Sequence, residues 1–279
     1  MKKYLVAFTC SVLTFFLTAC AISPYQEDAK NQSDNLLRKQ FELADAKRAN
    51  KPEGRIIFAG FAMHSQSKAF RNDVLSAEKS ILQTDPDALI FKLSNPAIGQ
   101  APDWPFATAE NMESVLKKMG SIAKSEDKVV VLMTTHGNEN LLAINFNNNA
   151  YPAVNPKMLN EWMSALRGKP TLLVLSACYS GSFLPAVTGP SRIVLTASAK
   201  SRTSFGCNFH SDNTYFIDAL FNQKELLNLS IEQAFNQAKI TIDIKEKDKK
   251  LTPSLPQVFI GVGAKSWSNQ PLKNWSVAQ

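Results

Sequence analysis

The sequence predicts an α/β fold, with a mostly parallel sheet of about six strands covered by helices on both faces. Short apolar runs alternate with helical stretches of about ten to sixteen residues, which is the pattern of βαβ units. The runs lack clean apolar–polar alternation, as expected of strands buried on both faces. Two of them end in reactive dipeptides, His136-Gly137 and Ala177-Cys178. If those strands are parallel neighbours, both side chains emerge at one sheet edge, where open α/β sheets bind their ligands.

The elements follow in order. Met1-Lys2-Lys3 precedes an apolar run from Tyr4 to Leu17. A basic start and a stretch too short to span a bilayer read as a secretory signal, residues 1–19. Leu17-Thr18-Ala19-Cys20 resembles a bacterial lipoprotein box. That resemblance implies an acylated Cys20 as mature N-terminus. With Ala21 next, it also implies the outer membrane of a bacterial envelope, on the periplasmic face or the surface. An ordinary signal peptide is the alternative. Residues 20–50 are polar and read as a lipid-proximal tether, helical from about Glu27 to Arg48.

From residue 51 onward strands and helices alternate. Arg55–Gly60, Ala88–Leu93, Val129–Met133, Leu172–Leu175, Arg192–Thr196 and Gln257–Ile260 read as strands. Ser67–Leu82, Thr108–Ala123, Asn155–Leu166, Asn213–Phe221 and Ile231–Ile244 read as helices. Asn155 is a cap and Pro156 a first helical residue. Leu141–Phe146 reads as an extra strand or hairpin arm before the turn signal of Asn147 to Asn149. Trp267 and Trp275 of the tail are expected to pack on the body. One domain, 51–279, accounts for the whole remainder.

Composition narrows the function. The chain is 44% hydrophobic and 20% charged, which is globular. Without Lys2 and Lys3 it has 29 basic and 24 acidic residues, a net +5. The one dense run, Lys245–Lys250, mixes signs and reads as a solvated helix end, so no nucleic-acid partner is expected. No Gly-x-Gly-x-x-Gly follows the first strand. The pattern around Ser180 fails as a serine nucleophile elbow, since its leading position is Cys178.

Four cysteines are present. Cys10 leaves with the signal and Cys20 would be lipidated, so Cys178 and Cys207 remain. They are either a nucleophile and a bystander or one structural bridge. A thiol nucleophile needs a nearby base and oxyanion donors. Small neighbours (Ser176, Ala177, Ser180, Gly181, Ser182) would let a carbonyl approach. Of three histidines, His136 precedes a glycine that leaves room and frees a backbone N–H, whereas His64 also follows a strand and competes. Cys207 and His210 make a poor zinc site.

These motifs resemble those of legumain-type cysteine peptidases, which share a caspase-like fold. The histidine strand ending at His136-Gly137, with Leu141-Leu142 after it, is similar to the family's. So is Ser176-Ala177-Cys178-Tyr179-Ser180-Gly181-Ser182. Ile193–Ala199 followed by Thr203–Cys207 resembles the next strand and specificity loop. The resemblance implies a caspase-like αβα sandwich over about 54–261. Cys178 would attack the scissile carbonyl, His136 would shuttle the proton, and the N–H groups of Gly137 and Cys178 would hold the oxyanion. No metal or cofactor is implied, and the partner is a peptide or protein substrate.

It further implies that Cys178, not a bridge to Cys207, carries the chemistry. Ser176 replaces the family's pocket acid, Thr203 and Ser204 fall at pocket serines, and Asp212 falls near a second pocket acid. The family's arginine after the first strand has no counterpart in register, Arg71 being nearby. Asn or Asp preference at P1 therefore does not transfer. Transpeptidation by the same pair, or a fold kept as an inactive envelope scaffold, are the other readings.

Overall fold

The computed structural model describes residues 24–50, 54–97, 99–146 and 149–276. The signal segment and Cys20 lie outside them, as do residues 147–148, where the turn was expected.

In chain order the strands are β1 Ile56–Ala62, β2 Leu89–Ser94, β3 Lys128–Thr134, β4 Gly137–Asn138, β5 Leu141–Phe146, β6 Asn149–Val154, β7 Thr171–Ser176, β8 Arg192–Thr196 and β9 Gln257–Ile260. The helices are α1 Pro24–Asn50, α2 Lys68–Thr84, α3 Ala109–Ile122, α4 Pro156–Met163, α5 Leu184–Val187, α6 Tyr215–Phe221, α7 Ile231–Asp248 and α8 Lys265–Ser268. The main sheet has six strands in the order β2-β1-β3-β7-β8-β9. All pairs are parallel except β8 with β9. The expected fold class is therefore the observed one. β4, β5 and β6 form a small antiparallel sheet, so Leu141–Phe146 is a hairpin arm.

The strands are apolar throughout because both faces are covered. Along β3, Val130 and Leu132 join one core with Phe70, Val74, Phe216 and Phe235 of α2, α6 and α7. Val129, Val131 and Met133 join the other with Val115, Leu116 and Trp162 of α3 and α4. Strand period two sends alternate residues to opposite layers. Ser67, Thr108, Asn155, Thr214 and Ser230 each accept a backbone N–H at a helix start. Such caps are worth ~1 kcal/mol apiece. Trp267 and Trp275 are buried edge to face, centroids 5.2 Å apart, against the first core.

Residues 24–50 are no free tether, because α1 lies along β2 and α3. Leu37, Phe41 and Ala44 form a stripe at helical spacing that packs on the second core. The Gln40 amide donates to Lys92 O and accepts from Lys92 N, both at 3.0 Å, and so satisfies the open edge of β2. Arg48 pairs with the buried Asp127 at 2.6 Å. Among the described residues no helix is long and apolar enough to cross a membrane.

Candidate active site

β3 and β7 are parallel neighbours, with Thr134 opposite Ser176. Just past the ladder Thr135 N donates to Ser176 O at 3.1 Å. Gly137 then turns into the small sheet against the Cys178 carbonyl. A Cβ at Gly137 would collide with that oxygen and stand 3.1 Å from the Ala177 Cβ. Only glycine permits this approach. Directly after Cys178, Tyr179 adopts a φ of 58°, left-handed for a non-glycine residue. Tyr179 N donates to Arg202 O at 2.7 Å and pins the bend. A 3-10 turn, Ser180–Phe183, follows at once. The His136-Gly137 and Cys178 segments thus lie side by side at one sheet edge.

The Cys178 thiol is half-buried and free, as is that of Cys207. Its Sγ accepts from Ser204 N at 3.2 Å and Ser204 Oγ at 3.7 Å, and as a donor it reaches Ser204 O at 3.5 Å. The neighbouring Cys207 thiol is the largest influence on its acidity. Together with the Ser204 donors it outweighs burial and brings Cys178 down to about 6. The same pairing, and then burial, pushes Cys207 up. Charge-assisted hydrogen bonds favour the thiolate, which is the nucleophilic form.

His136 is half-buried, and burial lowers its pKa from 6.5. Its ring meets His64 edge to face at 4.6 Å and Phe70 at 5.0 Å. Burial first, and then the proximity of His136, lowers His64 to about 4. Burial thus disfavours the charged form of both imidazoles. His136 and Cys207 line a cleft of about 630 Å³ with Ser65, Ser67, Asn208 and Phe209. A second hollow of about 600 Å³ shares Ser65, Ser67 and Phe209 and extends to His64, Arg71 and Asp103.

The expected pocket residues disperse. Ser176 is buried, with its hydroxyl 3.0 Å from Thr214 Oγ1. The Thr214 proton goes to Asp73 at 2.8 Å, so Ser176 is the donor to Thr214. Thr203 is exposed, and Ser204 sits on the Cys178 thiol. Asp212 stands at the surface, paired with Lys68 at 2.7 Å. Arg71 pairs with Asp103 at 2.8 Å and stacks 3.9 Å from the Trp104 centroid.

The acid beneath Ser176 is Asp73, fully buried in α2. It accepts from Thr134 Oγ1 (2.7 Å), Thr214 N (3.0 Å), Thr214 Oγ1 and Asn213 Nδ2 (3.1 Å). Burial pushes its carboxyl up to about 7 against these four bonds. Sequence reasoning missed this role. Only its burial was legible, since Asp73 adjoins Val74 on the apolar stripe of α2 formed by Phe70, Val74, Ala77 and Ile81.

Cys207→Ala removes the largest influence on Cys178, so the Cys178 pKa should rise from about 6 toward the ordinary thiol value. The check is the rate of iodoacetamide labelling against pH, read at Cys178 by mass spectrometry. An unmoved inflection would show that Cys207 does not tune the thiol.

The Peptidase C13 family matches residues 107–262, the stretch that contains His136, Gly137, Cys178, Ser204 and Cys207. No curated protein matches the chain. Among solved structures, caspase-1 from Spodoptera frugiperda is similar, with a TM-score of 0.51 at 13% identity. The match covers 74% of this chain and 85% of that one, and it shows the caspase-like fold.

Proposed function

The chain belongs to the Peptidase C13 family, and on that premise we propose that it hydrolyses peptide bonds as an endopeptidase, with Cys178 as nucleophile and His136 as its proton shuttle. The observation that carries the reading is the Cys178 thiol, drawn down by Cys207 and then by Ser204, beside the His136-Gly137 turn. Cys178 Sγ attacks the carbonyl carbon, and the carbonyl π electrons move to oxygen. The N–H groups of Gly137 and Cys178 donate to that oxyanion. In the reactive form Cys178 is the thiolate and His136 carries the proton, which passes to the leaving amine as the C–N bond breaks. Water, deprotonated by His136, then cleaves the thioester and returns the thiol.

Loss of the usual pocket acid at Ser176 favours a P1 preference other than Asn or Asp. The depressed thiol favours activity over an inactive scaffold. The envelope location rests on the lipoprotein box at Cys20, which would hold the enzyme at the outer membrane.

The test is cleavage of a peptide library before and after alkylation. Iodoacetamide should stop cleavage in proportion to the fraction of Cys178 modified, counted by mass spectrometry. Cleavage that persists with Cys178 fully alkylated would overturn the assignment.

A further inference from the structure

We propose that the sheet edge carrying His136 and Cys178 faces the lipid surface, so that the substrates are polypeptide segments close to the membrane. This rests on the acylation of Cys20 proposed above.

The register of the main sheet sets the geometry. Ala62 is opposite both Ser94 and Thr134, and Thr134 is opposite Ser176. These four residues mark one level, the carboxyl ends of the strands. His136 and Cys178 lie two residues beyond it.

α1 runs antiparallel to β2 and is pinned at three heights. Ser33 Oγ accepts from Phe106 N at 2.9 Å and Gln32 donates to Pro102 O at 2.8 Å, on the segment whose Pro105 O accepts from Ser94 N. Gln40 clasps Lys92 midway. Lys47 reaches Ala88 O at 3.4 Å, and Arg48 reaches Asp127, at the opposite edge. The amino end of α1 therefore leaves the body at the edge of the cleft. From Ser33 to Pro24 it rises ~14 Å further.

Residues 21–23 separate Cys20 from α1. A fully extended chain gives that leash a reach of ~13 Å at most. The opposite edge, near Asn50, lies ~39 Å along the same helix from Pro24. Turning that edge to the bilayer would require the leash to run back along the whole of α1, which it is too short to do.

The same edge carries exposed apolar side chains suited to a lipid–water boundary. Phe209 lines the cleft, and Tyr151 pairs with Ile144 beside the bridge from Asn145 to His64. Phe209 is 74% and Tyr151 45% exposed. The amphipathic ring of Tyr151 favours headgroup depth, and Phe209 adds exposed apolar area beside it.

The experiment uses the full chain, produced in acylated form and reconstituted in phosphatidylethanolamine–phosphatidylglycerol vesicles with a headgroup-linked acceptor dye. A donor dye is clicked onto Tyr151→azidophenylalanine at the cleft edge or Glu126→azidophenylalanine at the opposite one. Energy transfer should be at least ~2-fold more efficient from position 151, as expected for edges separated by a strand length or more. Equal or reversed efficiencies overturn the orientation. Failure to bind vesicles, or binding that Cys20→Ser leaves intact, overturns both the anchor and the orientation. Peptide cleavage in detergent reads the peptidase reading separately, so the two can fail independently.

Discussion

Cys178→Ala is expected to lower kcat/KM for any cleaved peptide by at least ~10³-fold, with the fold intact. The Ser176 hydroxyl cannot form the acyl-enzyme in its place, since it is buried and committed to Thr214, and the Cys207 thiol is held protonated by its upward shift. His136 and the oxyanion donors would remain, but without a nucleophile they cannot form the acyl-enzyme. The structural cost should be small, ~1 kcal/mol, because the variant loses only partly buried interactions with Ser204 and Cys207. His136→Ala should cost ~10²–10⁴-fold. The double variant should be no slower than the slower single one, because the two residues act as a unit. Steady-state kinetics beside thermal melts separate the cases. Retained turnover in Cys178→Ala would remove that residue from the mechanism.

Asp73→Ala is expected to destabilise the fold by about 3 kcal/mol or more, because Thr134, Asn213 and Thr214 would lose their buried acceptor. The penalty should depend on pH in a defined direction. Burial raises the native carboxyl to about 7, above its unfolded value near 3.9. The native state therefore holds the proton more tightly. That contribution is full below the unfolded pKa and is lost as pH rises through about 7. The stability gap between the parent and Asp73→Ala should be widest near pH 4 and narrow toward neutrality. Urea unfolding at several pH values reads it. A gap that widened with pH would mean that Asp73 is stabilised as the anion. Because this carboxyl joins α2 to the end of β3 and, through Thr214, to Ser176 of β7, the variant should also loosen the cleft.

Much of this was legible in the residues. Apolar runs at βαβ spacing predict the parallel sheet, and the cap Asn155 stands where side-chain chemistry requires it. The motif order from His136 to Cys207 points to the family that residues 107–262 match. Other features were not legible, for identifiable reasons. The packing stripe of α1 is only Leu37, Phe41 and Ala44 within 27 mostly polar residues, so composition reads as a tether. Asp212 and Asp73 are both acids, and linear spacing cannot say which lies beneath Ser176.

Local chemistry in the chain therefore determined the strands, the helix starts, the glycine at 137 and the candidate thiol and imidazole. Each depends on a residue and its near neighbours, through side-chain period, capping or room for a backbone. The tertiary structure alone decided which groups surround them. It set Cys207 and Ser204 on the Cys178 thiol, buried Asp73 under Ser176, put Asp212 out in solvent and ran α1 from the cleft edge to the opposite one. Those contacts join positions tens to more than a hundred residues apart. Their proximity follows from sheet order and from the burial of whole faces, which no single stretch of sequence encodes.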